Sequence, residues 1–90
     1  MKQLRNYMED AVQQYLFQWL SEMDVCHCEE CQLDIAAIML NRLKPHYGVT
    51  ETGAMYAQLR DFSLQYRADI MAALSYAVEI VRERPHHDRT

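Results

Sequence analysis

The sequence predicts an all-α fold, a small compact domain of three to five helices that ends in a long helix. Three observations predict it. Apolar residues recur at spacings of three and four over most of the chain, which is the signature of helices with one buried face. Glycine occurs only twice in 90 residues, so the chain is poor in turns. The two prolines, Pro45 and Pro85, fall where the periodic stretches stop.

The first helix is expected from about Lys2 to Met23. Leu4, Met8, Val12, Tyr15, Trp19 and Met23 form one stripe, and Tyr7, Leu16 and Leu20 widen it. Core packing accounts for these aromatics better than a cofactor role. The polar stretch from Ser21 to His27 reads as a connector. A second helix follows from near Cys28 to near Leu43, with Glu29 and Glu30 at the positive end of its dipole. Leu33, Ile35, Ala36, Ile38, Met39, Leu40 and Leu43 leave it almost no polar face, so it is expected to be the buried central element. Pro45 stops it within two residues of Lys44, because the residue before proline disfavours helix. Residues 45–50 read as a partly extended connector, and Thr50 or Thr52 could cap the next helix.

From Met55 the stripe resumes through Leu59, Phe62, Tyr66, Ile70, Leu74, Ala77 and Val81. It is either one long helix or one gently broken near Asp61–Leu64. Such a stripe outreaches the core of so small a domain, which predicts a homodimer with the last helix at the interface. Pro85 ends the helix. The chain thus divides into a single domain over 1–85 and a frayed tail over 86–90.

Composition excludes several function classes. The net charge of −4 argues against binding bulk nucleic acid, which needs an excess of Lys and Arg. The charge is uneven. Residues 1–41 hold two basic and seven acidic side chains, while residues 42–90 hold seven and six, so an anion site is expected in the second half. No apolar run approaches the ~20 residues of a membrane span, and no apolar signal follows Met1. A cytoplasmic location is expected. No phosphate loop, nucleophile elbow, HExxH or Ser/His/Asp spacing is present, so an enzyme is not expected.

The most chemical stretch is Cys26-His27-Cys28-Glu29-Glu30-Cys31. Thiolates are soft ligands suited to zinc. Cys28 and Cys31 share a face on a starting helix, and Cys26 can fold back toward them from the connector. The alternative is three reduced core thiols, but cysteines interleaved with two Glu and a His make an unusual core segment. A structural zinc held by Cys26, Cys28 and Cys31 is therefore expected. Its fourth ligand is open among His27, Asp34, His46, His86, His87, water and a partner chain. With water in that position, a zinc or thiol enzyme or a redox sensor is a further alternative.

Arg42, Lys44 and His46 form a basic corner beside Tyr47. It is either a solvated turn or a phosphate-and-base site, since Arg grips phosphate bidentately and Tyr stacks on a base. Arg60 and Arg67 lie on one face of the last helix and could join it. Asn41, at the end of the second helix, suits a bond to loop backbone.

Cys26-x-Cys28-x2-Cys31-x2-Asp34-Ile35, running into Leu40-Asn41-Arg42-Leu43-Lys44-Pro45-His46-Tyr47, resembles the late competence development (ComFB) family. Arg5-Asn6-Tyr7-Met8-Glu9 and Gly53-Ala54-Met55-Tyr56 are also similar, so the likeness covers most of the chain. The resemblance implies an all-helical homodimer with a regulatory, non-enzymatic role, linked in some members to cyclic dinucleotides. With the basic corner, it points to cyclic di-GMP or cyclic di-AMP as ligand, bound by Arg42, Tyr47 and Arg67. Some relatives place a fourth Cys near the end of the last helix, where this chain reads Ile80-Val81-Arg82, so a closed four-Cys site is not implied here. The competing reading is a homodimeric protein-interaction adaptor with no small ligand.

Overall fold

The structure, a computed structural model, describes residues 2–51 and 55–85. It is mostly helical. The described elements are β1 (Lys2–Asn6), α1 (Tyr7–Trp19), a 3-10 turn (Leu20–Glu22), α2 (Glu29–Arg42), β2 (Tyr47–Glu51), α3 (Met55–Gln65) and α4 (Arg67–Glu83).

The two strands correct the all-α expectation. β1 and β2 pair antiparallel, with Leu4 opposite Val49 and Asn6 opposite Tyr47. The segment expected to open the first helix is therefore extended, and Leu4 is 72% exposed rather than part of the core stripe. Asn6 is the physical reason. Its Oδ1 accepts from the Met8 N–H at 3.1 Å, which caps α1 and fixes its start at Tyr7. The same oxygen accepts from the His46 N–H at 2.8 Å, and the Tyr7 N–H donates to the His46 carbonyl at 2.8 Å. Both polar groups of the His46 backbone are thus held by Asn6 and Tyr7, and β2 can only leave His46 alongside β1. The Tyr7 ring lies so close over Gly48 that a Cβ there would meet its Cε2 at 2.7 Å. Any larger residue at 48 would have to displace this ring.

The core is formed by Met8, Ala11, Val12, Tyr15, Leu16 and Leu20 from the first segment, Cys31, Ile35, Ala36 and Met39 from α2, and Ile70, Ala73, Leu74, Ala77, Val78 and Val81 from α4. α2 packs chiefly on α4 and secondarily on α1. It is not apolar all round in use: Leu33 stays 59% exposed, and among the described residues no element covers that side. α2 ends at Arg42, with Leu43 already extended, as Pro45 requires. Thr50 lies in β2, while Thr52 and the tail over 86–90 lie outside the described residues.

The last stripe does break, at Tyr66 rather than at Asp61–Leu64. Its residues Ile70, Leu74, Ala77 and Val81 are all buried within the chain, so its length does not by itself demand a partner. α3 is tied to α1 by polar contacts. The buried Tyr15 hydroxyl donates to the Ser63 carbonyl at 3.1 Å, and the Ser63 hydroxyl donates to Gln14 Oε1 at 2.9 Å. At the other end of α1, Arg5 pairs with Asp10, its Nε 3.0 Å from Oδ2. The hydrogen bond to Asp10 and that carboxylate's charge push the Arg5 pKa further up.

Candidate metal centre and ligand hollow

The chain enters α2 through an ordered connector. The Val25 N–H donates to the Met23 carbonyl at 3.0 Å, and Gln32 Nε2 donates to the His27 carbonyl at 2.7 Å. These bonds bring Cys26 back over the first turn of α2. Cys28 is the N-cap, its sulfur accepting from the Cys31 N–H at 3.4 Å. Cys31 is fully buried, and Cys26 and Cys28 are half-buried. The three sulfurs all lie within 4.8 Å of one another.

That donor set fits a metal. Tetrahedral zinc with Zn–S distances near 2.3 Å sets its sulfurs about 3.8 Å apart, so small side-chain rotations suffice. Three soft donors at a helix N-terminus, where the dipole favours anions, match zinc better than a hard cation. Among the described residues no His, Asp or Glu donor joins the group. His27 turns instead to the Met23 carbonyl, with Nε2 3.2 Å away. His46 lies beyond the opposite end of α2. Asp34 is not among the converging donors, and His86 and His87 lie outside the described residues.

The basic corner opens onto a hollow of about 640 Å³, lined by Met8, Arg42, Leu43, Lys44, His46, Tyr66, Asp69, Ala72 and Ala73. One wall is aromatic. The His46 ring centroid is 4.6 Å from Tyr66 and 5.0 Å from Phe62, and Phe62 and Tyr66 are 4.7 Å apart. Arg42 is steered by Tyr76, with its guanidinium carbon 3.8 Å from the ring centroid.

The structure does not bring the expected ligand residues together within one chain. Arg42 lines this hollow, Tyr47 is 65% exposed on the ribbon beside Leu4 and Glu9, and Arg67 lies with Arg60 in a separate hollow against α1. Tyr47 opens β2 directly after His46, and successive side chains of an extended chain point to opposite faces. Two lining residues were missed. Tyr66 keeps the helical spacing of the core stripe, and Asp69 carries no signal that sets it apart from other acids near a helix start. The available signal was the pair Phe62 and Tyr66, four apart, which places two rings on one face. Asn41 is exposed. No described helix is long and apolar enough to cross a membrane.

Comparison with known proteins agrees with this architecture. The family model for the late competence development protein ComFB matches residues 5–85. Among solved structures, the late competence protein ComFB from Bacillus subtilis is similar, at 25% identity and a TM-score of 0.77, covering 98% of this chain and 100% of that one. No curated protein matches. The chain belongs to the ComFB family.

Proposed function

We propose that this ComFB family member is a non-enzymatic, homodimeric regulatory module that receives a cyclic dinucleotide in the hollow at the C-terminal end of α2. A structural zinc ion on Cys26, Cys28 and Cys31 would brace the other end of the same helix.

The observation that carries the ligand reading is the composition of the hollow. Arg42 and Lys44 supply cations for phosphate, and the His46 and Tyr66 rings supply a surface on which a base can stack. Its volume of about 640 Å³ falls within the ordinary range of small-molecule sites. Asp69 is the one acid in the lining. A carboxylate accepts from the ring N–H and exocyclic amine of guanine, whereas adenine offers only one amine and an acceptor beside it. The hollow therefore favours cyclic di-GMP over cyclic di-AMP.

Calorimetry with both dinucleotides tests this. Saturable heat with cyclic di-GMP, lost in Arg42→Ala and with its base preference lost in Asp69→Asn, is the expected result. No heat at tens of micromolar for either ligand would remove the reading. Light scattering that shows only a ~10 kDa species would remove the dimer.

One observation favours a protein-interaction adaptor instead. Phe17, 93% exposed, and Leu33 flank a small hollow between α1 and α2. If Phe17→Ser abolishes a cellular phenotype while leaving dinucleotide binding intact, this face and not the ligand carries the function.

A further inference from the structure

A second hollow, with none of its lining residues shared with the first, is not used by the dinucleotide reading. Arg60 and Arg67 line a hollow of about 170 Å³ between α1 and the α3–α4 junction, with Gln14, Gln18, Trp19 and Ser63. In a chain of net charge −4, no carboxylate lines it. The two arginines are also uncommitted. Arg5 and Arg82 are paired with Asp10 and Glu79, and Arg42 lies over Tyr76. Among the described arginines, Arg60, Arg67 and Arg84 have no such partner, and of these three Arg60 and Arg67 share one hollow.

The polar floor is preset. Ser63 is 5% exposed and is the one buried polar side chain among the described residues. Its hydroxyl donates to Gln14 Oε1, which commits the amide oxygen and leaves the amide N–H groups as the available donors. Arg60 and Arg67 stand seven residues apart on either side of the break at Tyr66. Both nonetheless line the same hollow, so their side chains reach a common space. The hollow thus offers two guanidinium forks and fixed amide donors, with no competing acceptor charge. Two full positive charges match a dianion, whereas a carboxylate would satisfy one fork and leave the other unpaired.

We propose that this hollow is a binding site for a phosphate monoester dianion, separate from the dinucleotide hollow and independent of that assignment. The volume admits the phosphoryl group itself, and the organic remainder would lie outside, beside the Trp19 ring.

Trp19 is the only tryptophan in the chain, so its fluorescence reports on this hollow directly. Inorganic phosphate, a nucleoside monophosphate and a phosphoserine peptide would each be titrated into the full chain, with acetate at matched ionic strength as the monoanion control. The expected result is a saturable Trp19 response to inorganic phosphate. It weakens about tenfold or more in Arg60→Gln and in Arg67→Gln, is abolished in Gln14→Glu, and is unchanged in Arg42→Ala. Whichever ester binds more tightly than inorganic phosphate identifies the source of the group. Gln14→Glu keeps an acceptor for Ser63, and a thermal melt matching wild type shows that the fold is intact. A response that never saturates, that acetate reproduces, or that survives in both arginine variants overturns the proposal. Loss of response in Arg42→Ala alone would assign the anion to the other hollow and overturn it equally.

Discussion

Replacing Asn6 by alanine should be the most costly single change outside the apolar core. One side-chain oxygen serves two backbone donors, the Met8 N–H at 3.1 Å and the His46 N–H at 2.8 Å. Losing an N-cap costs about 1 kcal/mol. Stripping the partner from a second, partly buried N–H adds about 1–2 kcal/mol, since the donor keeps its desolvation penalty. The total is about 2–3 kcal/mol, a large share of the 5–15 kcal/mol that holds a domain of this size. Urea titration should show the midpoint falling by about 1–2 M at unchanged slope, and the melting temperature should fall by about 8–20 °C. Asn6→Asp is the control. It keeps an acceptor for both donors and adds a charge that the α1 dipole favours, so it should remain close to wild type. Amide exchange should accelerate at Met8 and His46 together in the alanine variant. A loss below about 1 kcal/mol, or an Asp variant as unstable as the Ala variant, would refute the double role.

Gly48→Ala should destabilise by about 1–3 kcal/mol, because its Cβ would sit 2.7 Å from Tyr7 Cε2; Tyr7→Leu in the same chain should recover most of that loss in denaturant titrations. Tyr15→Phe should cost about 1 kcal/mol by leaving the buried Ser63 carbonyl without its hydroxyl donor, measurable as a lower urea midpoint. On the metal reading, zinc added to chelator-treated protein should raise the melting temperature of the wild type, and calorimetry should find one ion per chain. Cys28→Ser should abolish both effects, and a wild type indifferent to zinc would refute that reading.

The sequence made some elements legible and hid others for identifiable reasons. The bounds of α2 are legible to within one residue at each end, because its signals are local: acids at the start and a proline beyond the end. β1 was hidden because Leu4 stands four residues before Met8 and mimics one more helical turn. What makes it a strand is a partner over 40 residues away, through Asn6 and His46, and periodicity cannot register that. The cysteine cluster was legible because its members are nearly adjacent in sequence. The trio Arg42, Tyr47 and Arg67 was not assembled, since alternation in β2 and the break at Tyr66 send the three side chains to different sides. Asp69 escaped notice because an acid in a first helical turn is ordinary, and only the packing of α4 against the end of α2 turns it toward the hollow.

The ribbon of β1 and β2 has a thermodynamic consequence for the hollow. Two strands alone are marginal in water, and here Leu4, Tyr47 and Val49 gain little by burial. The ribbon can therefore open as a unit well below the free energy of global unfolding. Opening releases both backbone groups of His46, and with them the ring that lies against Tyr66. At an opening free energy of about 2 kcal/mol, roughly 3% of molecules would lack that wall, and affinity for anything stacked on it would scarcely change. The cap on Met8 is local to α1, but the bond to His46 exists only in the closed form, so removing the Asn6 oxygen narrows that gap by about 1–2 kcal/mol and raises the open fraction to roughly 15–50%. Apparent affinity then falls in proportion to the closed population, although Asn6 itself is absent from the lining of the hollow.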